Sequence, residues 1–218
     1  MTYEQVKQDH AVQVYIAQAD ASMEALGFTE HSFAHVSRVA SIAGYILETM
    51  GYESRTVELA QIAGYLHDIG NVVNRVDHSQ SGAVMAFRIL DRMNFPPEEI
   101  ATIVTAIGNH DEGTGVPVNA VAAALIIADK SDVRRSRVRE KADLSADIHD
   151  RVNYSVTHSW LSITEDRTTM VLELDVDTSV SSIMEYFEIF MKRMLMCQKA
   201  AKKLGLTFRV TVNGQTLG

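Results

Sequence analysis

The chain of 218 residues contains one cysteine, Cys197. A single thiol can form neither an internal disulfide nor a cysteine-based zinc site, so both are excluded. Positive charge is also scarce, because 20 Lys and Arg residues stand against 28 Asp and Glu residues and the net charge is −8. Nucleic acids and anionic membranes bind basic surfaces. We therefore expect no stable nucleic-acid partner and no membrane association.

Long apolar segments are missing as well. The longest uninterrupted apolar run covers residues 120–128, well short of the ~18 residues that span a bilayer. The N-terminal residues are polar and lack the apolar segment of a signal peptide. These features predict a cytoplasmic protein. Histidine, by contrast, is well represented with eight residues, and it is the commonest metal ligand in proteins.

The periodicity of apolar residues changes near residue 151. Before it, spacings of three and four residues predict helices, and after it two segments alternate with a period of two before a further helix and a last strand. We therefore predict a mainly α fold, with a helical bundle in residues 1–150 and a small C-terminal β-β-α-β (α+β) unit in residues 151–218. This unit would serve dimerisation or cover the substrate side. The predicted helices cover residues 3–26, 33–50, 57–69, 78–93, 96–110, 117–133 and 183–204, and the predicted strands residues 152–160, 170–176 and 206–212.

Two polar sites end unusually apolar helices. His67 and Asp68 lie at the end of the third predicted helix, and Asp129 follows the apolar run of the sixth. Burying such groups is costly unless a partner satisfies them. That partner is either a divalent cation or neighbouring polar groups of the protein, and both interpretations stay open on residue chemistry alone.

The ordered set His35, His67-Asp68 and Asp129 resembles the signature of the HD-domain superfamily of metal-dependent phosphohydrolases, over residues 25–135. Residues 66–70, Leu-His-Asp-Ile-Gly, resemble the HDIG form of that signature. His78 begins a segment similar to H-x-x-x-G-A, and His110 lies in one that partly resembles diadenosine tetraphosphate hydrolases and the HD-GYP cyclic-di-GMP phosphodiesterases. The resemblance implies metal ligands at His35, His67, Asp68, His78, His110 and Asp129.

The resemblance also implies a cofactor and a reaction. We expect two divalent transition-metal ions (Fe, Mn, Zn, Co or Ni, not distinguished by the sequence), with Asp68 bridging them. A metal-activated water would attack the phosphate ester or anhydride of a small phosphorylated or nucleotide-like substrate. The Asn71 and Val116 positions depart from the HD-GYP pattern, so the substrate is unassigned. The alternative is a non-catalytic sensor or regulatory HD domain that binds metal or nucleotide.

Further residues are assigned less directly. We expect catalytic roles for Asp68, and for Lys130 and Arg134 (or Arg135) in neutralising charge on the phosphate, while Asp132 would orient a ligand. The basic segment 134–141 is either a solvated linker or a phosphate-facing rim. His31 is either a metal ligand or a surface or substrate-side residue, and His10, His149 and His158 are expected to be structural or exposed. We expect a homodimer.

Overall fold

The computed structural model describes residues 1–140, 144 and 147–217, so Lys141 of the basic segment lies outside the described residues. Its elements, in chain order, are α1 (Tyr3–Gln8), α2 (His10–Ala25), α3 (Phe33–Thr49), α4 (Ser54–Leu66), a 3-10 helix (Ile69–Val72), α5 (His78–Arg92), α6 (Pro97–Gly108), α7 (Ala120–Lys130), a 3-10 helix (Arg135–Arg137), α8 (Ile148–Ser155), β1 (Val156–Ile163), β2 (Thr169–Val176), α9 (Ile183–Lys203), β3 (Thr207–Val212) and β4 (Gln215–Leu217). The prediction of a mainly helical chain with a small C-terminal sheet is confirmed.

Helix α7 lies at the centre of the molecule. Every residue from Val121 to Lys130 is buried, and α3, α4, α6 and α9 all pack against it. Its alanines let these neighbours approach on all sides, since a helix that is apolar around its whole circumference is stable only when it is fully enclosed. The Asn119 side chain caps the helix by accepting from the Ala122 amide at 2.7 Å. This enclosure brings the C-terminal end of α7, and with it Asp129, into the interior.

Several predicted boundaries were wrong for local reasons. The helix expected over residues 3–26 is two helices, because Asp9 leaves helical geometry and its side chain caps α2 by accepting from the Val12 amide. The strand expected to begin at Val152 begins at Val156. The residues before Val156 form helix α8, which the Asp147 side chain caps by accepting from the His149 amide. The first residues of the predicted strand, 152–155, therefore lie on this short helix.

The sheet has the order β1-β2-β3-β4. Strands β1 and β2 form an antiparallel hairpin, whereas β2 and β3 are parallel and are connected by α9. The sequence prediction ended the last strand at Asn213-Gly214, but these two residues form the turn of a second hairpin into β4. Both have positive φ, 49° and 78°, which matches the turn that two-residue hairpins prefer.

Helix α9 joins the sheet to the bundle. It packs against both β3 and α7, and the buried residues of the bundle and of the C-terminal unit form one continuous hydrophobic core. The division into residues 1–150 and 151–218 stays a prediction. Among the described helices, none combines the length and the apolar character needed to cross a membrane.

Candidate metal centre

Six polar side chains meet at one buried point because the helices that carry them end there. His35 lies in the first turn of α3, His67 directly follows α4, and His78 is the first residue of α5. His110 follows α6 by two residues, and Asp129 lies in the last turn of α7. The sixth, Asp68, stands between α4 and the 3-10 helix. All six are at most 9% exposed.

A glycine allows α5 to approach this point. A Cβ on Gly70 would lie 2.0 Å from the carbonyl oxygen of His78 and 2.5 Å from the amide nitrogen of Gly82. Only a residue without a side chain therefore lets the start of α5 pack against the turn after α4. The same turn fixes the first carboxylate, since the Asn71 amide donates to the backbone oxygen of Asp68 at 2.9 Å and to its Oδ1 at 3.1 Å.

The two oxygens of Asp68 face different histidines. Its Oδ2 lies 3.2 Å from His67 Nε2 and 3.5 Å from His35 Nε2. Its Oδ1 lies 3.5 Å from His78 Nε2 and 3.9 Å from His110 Nε2. The Oδ1 atom of Asp129 completes the first group at 3.5 Å from His35 and 3.7 Å from His67. Asp68 therefore stands between two sets of imidazole nitrogens.

Hydrogen bonds to backbone carbonyl groups fix the orientation of three of the four rings. Nδ1 of His67 is 2.8 Å from the Gly64 carbonyl oxygen, Nδ1 of His110 is 2.6 Å from that of Ile107, and Nδ1 of His78 is 3.1 Å from that of Arg75. A carbonyl only accepts, so each Nδ1 carries the proton. In the neutral rings, the lone pair of Nε2 is then directed at the carboxylates.

Two of these nitrogens are orphaned in the interior. Within the part of the chain that the structure describes, Nε2 of His35 and Nε2 of His67 are buried and make no hydrogen bond of acceptable geometry. Buried polar atoms are nearly always satisfied. Imidazole nitrogens and carboxylates together form a donor set that suits divalent transition metals, so the residues present fit the metal ions that the sequence predicts.

Electrostatics distinguish the two histidine pairs. Burial acts to lower the pKa of His67, but Asp68 and Asp129 outweigh it and raise that pKa to about 10. Burial, reinforced by His67 and Lys130, lowers the pKa of His110 to about 3, and burial also lowers the pKa of His78. The two carboxylates thus favour a positive charge beside His67, and a divalent cation would supply such a charge. His78 and His110 stay neutral and are able to act as ligands.

Two groups of three side chains are close enough together to hold a metal ion. His35, His67 and Asp129 offer atoms that all lie within 4.8 Å of one another, and so do His67, Asp68 and His110. His78 Nε2 is 3.2 Å from His110 Nε2. The structure therefore brings all six predicted ligands together, with Asp68 at their centre.

A comparison of the sequence with known families agrees with this arrangement. The model of the HD domain matches residues 32–143, half of the chain. The chain belongs to the HD domain family. The uncharacterized protein MJ1020 of Methanocaldococcus jannaschii is 25% identical over 162 residues, which cover 64% of this chain and 62% of that protein's length. The crystal structure of a predicted HD superfamily hydrolase from an uncultured Thermotogales bacterium is 25% identical and covers 60% of this chain and 73% of its own, with a TM-score of 0.46.

A second layer of charge supports the first ligand of this HD domain. Asp132 Oδ2 accepts from His35 Nδ1 at 2.7 Å, and its Oδ1 accepts from Arg134 Nε at 2.8 Å and lies 3.0 Å from Arg38 Nε. Burial acts to raise the pKa of Asp132, but His35 and the nearby arginines hold it well below its ordinary value. The carboxylate therefore stays charged and fixes the tautomer of His35.

A cavity of about 200 Å³ opens onto the six-residue cluster. Lys130 lines it, with its ammonium 2.7 Å from Asp129 and 3.1 Å from Glu112. Arg134 does not line this cavity; its guanidinium binds Asp132 and Ser136 instead.

Among the lining residues, Arg75, Asn153 and Arg193 were not predicted from the sequence, and His149 was expected to be structural or exposed. Arg137 also lines the cavity, and it belongs to the basic segment 134–141, for which a phosphate-facing rim was one of the two interpretations. Arg75 stands alone in a loop, whereas His149 and Asn153 lie on α8 and Arg193 lies on α9. No local sequence signal distinguishes Arg75, Asn153 and Arg193, and the last two reach the cavity only through the packing of α8 and α9.

His31 also faces the cavity. Its Nε2 is 4.0 Å from Asp68 Oδ2 and its Nδ1 is 2.7 Å from the Thr29 carbonyl oxygen. Burial lowers its pKa well below the ordinary value. The ring is therefore neutral and close to the cluster, and its role as a ligand or as a substrate contact stays open. By contrast, His10 and His158 lie away from the cavity lining.

Proposed function

We propose that this HD domain is a metal-dependent phosphohydrolase that acts on a small phosphate ester or anhydride of nucleotide-like character. The family supports a metal-dependent hydrolase. The observation that carries the proposal is the buried convergence of four imidazoles and two carboxylates, two of whose nitrogens are left without hydrogen bonds among the described residues.

We assign the ligands to two divalent ions, with Asp68 shared between them. The distances of its two oxygens support this, since one faces His35 and His67 and the other faces His78 and His110. When bound, such ions supply Lewis acidity and lower the pKa of a coordinated water so that hydroxide is available near neutral pH. The protein's part is to hold the donors rigidly and to exclude bulk water from them.

We assign the binding of the phosphate to cationic side chains that line the cavity. Arg137 is buried and donates to the carbonyl oxygens of Glu30 and Asp132, which fixes its guanidinium beside His31. Arg75 lies on the other side, with Nη1 3.3 Å from His78 Nε2. Guanidinium groups pair well with phosphate oxygens. We assign these two arginines the role that the sequence suggested for Arg134, and Lys130 adds positive charge at the back of the cavity.

The size of the cavity supports a small substrate. At about 200 Å³, it is smaller than the ~300–1,000 Å³ of sites that enclose drug-sized ligands. A phosphate with one attached group fits this space better than a dinucleotide does. We therefore rank nucleoside monophosphates and simple phosphomonoesters above dinucleoside polyphosphates and cyclic dinucleotides.

Metal content and hydrolysis together test this function. The full chain is stripped with a chelator, reloaded with Mn²⁺, and compared with the His78→Ala variant and with the exposed His158→Ala as control. We expect about two ions per chain in the wild type and in the control and fewer in His78→Ala, with hydrolysis of an aryl phosphate or of a member of a nucleotide panel.

Two results would count against the proposal. A wild-type chain that binds no Mn²⁺ contradicts the metal centre. A metal-loaded chain that hydrolyses neither the aryl phosphate nor any nucleotide favours the non-catalytic sensor. The homodimer stays a prediction, which the mass of the chain in solution tests directly.

A further inference from the structure

A line of four charged residues runs from the metal centre to the C-terminal helix. Asp129 directs Oδ1 toward His35 and His67, and its Oδ2 is 2.7 Å from the ammonium of Lys130. The same ammonium lies 3.1 Å from Glu112 Oε2, and Glu112 Oε1 lies 2.7 Å from Arg193 Nε on α9. Charges therefore alternate in sign along the whole line.

The loop that carries Glu112 is packed against the same helix. A Cβ on Gly115 would lie 2.4 Å from the terminal methyl group of Met196 and 2.3 Å from the Asn109 carbonyl oxygen. Met196 follows Arg193 by three residues and thus lies on the same face of α9. Helix α9 consequently holds this loop by close packing as well as by the ion pair.

Lys130 is the buried member of the line beside Asp129, and the two residues beyond it are half-buried. The Lys130 side chain is 5% exposed, and those of Glu112 and Arg193 are 20% and 25% exposed. A buried ammonium is strongly destabilised unless carboxylates compensate it, and Lys130 has two. Without Glu112, its whole charge would act on the one remaining partner, Asp129. Glu112 and its own partner, Arg193, therefore determine how Lys130 interacts with the ligand carboxylate.

We propose that Glu112 and Arg193 are positioning residues that act through Lys130 to keep Asp129 Oδ1 directed at His35 and His67. This rests on the metal centre of the proposed function. Arg193 lies outside residues 32–143, the part of the chain that the HD domain model matches. The C-terminal unit thus completes the centre through α9, in addition to supplying a wall of the cavity.

The test measures Mn²⁺ affinity of the full chain by the electron paramagnetic resonance signal of free Mn²⁺, together with the urea midpoint of the metal-free protein. The variants are Glu112→Gln and Arg193→Met, with Lys192→Met, which removes an exposed charge one residue away on the same helix. Partners of metal ligands typically contribute a factor of about 10 to 100 in metal affinity. We expect a weakening of at least about tenfold in both variants and no change in the control.

Exchanging the charges of Glu112 and Arg193 shows whether the pair acts through Lys130 or only links the loop to α9. In Glu112→Arg combined with Arg193→Glu, the two side chains can pair again, but Lys130 then faces a cation. If our inference is right, the exchange leaves Mn²⁺ affinity low even where the urea midpoint recovers.

Three outcomes are decisive. Wild-type affinity in the folded Glu112→Gln and Arg193→Met chains would overturn the inference. Recovery of affinity in the exchanged chain would also overturn it, because the pair would then be only a structural bridge. A wild-type chain that binds no Mn²⁺ would instead remove the metal centre itself, so failure of the inference and failure of the proposed function are told apart.

Discussion

Replacing Asp132 by Asn tests whether the second layer of charge controls the metal centre. The substitution preserves volume but removes the negative charge that His35 Nδ1, Arg134 Nε and Arg38 Nε share at 2.7, 2.8 and 3.0 Å. The side chain is 0% exposed. Each of these groups is left with a weaker, neutral partner or with none.

The magnitude follows from the number and burial of these contacts. Breaking a buried ion pair costs about 3–5 kcal/mol, and a hydrogen bond to a charged group contributes about 1.5–3 kcal/mol. The asparagine oxygen still accepts from one partner, so we expect a loss near the lower limit, about 3 kcal/mol in the free energy of unfolding. The His35 tautomer is no longer enforced, so Mn²⁺ affinity should fall by a factor of about 10 to 100.

Urea unfolding of the metal-free chain measures the first effect and Mn²⁺ titration the second. Asp91→Asn is the control, since Asp91 is an exposed carboxylate 4.0 Å from Arg88 and should affect neither quantity. If Asp132→Asn lowers stability but leaves Mn²⁺ affinity unchanged, Asp132 has only a structural role. The reasoning that links it to His35 would then be refuted.

Three further predictions concern the fold. Gly64→Ala should destabilise the chain by about 1–3 kcal/mol, as overpacking does, because its Cβ would lie 2.8 Å from the backbone of α3. Gly44→Ala should cost less than Gly64→Ala, because its Cβ would meet only the side chain of Gln61, which can move, and no backbone, and because alanine favours helix. Arg55→Met should cost about 1 kcal/mol at pH 7, within the range for a partly exposed pair with good geometry. Arg55 holds the pKa of Glu99 below its ordinary value. The stability that the pair contributes is therefore fully present at a pH above the ordinary pKa of Glu99, and it is lost as the pH falls through the lowered pKa of the folded chain.

Urea midpoints measure all three variants. Equal stability of the two glycine variants would contradict the close approach of α3 and α4. A cost of Arg55→Met that is the same at pH 7 and at pH 3 would contradict the ion pair with Glu99 as its cause.

The sequence by itself determined the class of fold and the six candidate ligands. Helical periodicity is a local property, since it depends on neighbours three and four residues apart. The apolar run of α7 predicted a buried helix for the same reason. His67-Asp68 and Asp129 stood out because groups that are costly to bury follow apolar helices, and their order along the chain was enough to suggest the family.

Element boundaries depended on side-chain contacts that periodicity does not contain. The cap at Asp147 turned the alternating residues 152–154 into a helix, and a turn at Asn213-Gly214 began a fourth strand instead of ending the third. In both places the chain could adopt either of two local structures. A side-chain hydrogen bond selects the helix at residues 152–154, and positive φ angles select the turn at Asn213-Gly214.

Only the tertiary structure decided which other charges meet the ligands. Arg193 lies 64 residues after Asp129 in the chain, yet the packing of α9 against α7 brings it into the same charged line. Arg134, five residues from Asp129, is directed away from the cavity by Asp132. Distance along the chain says little about such contacts, because helix packing and the desolvation of charge select the partners.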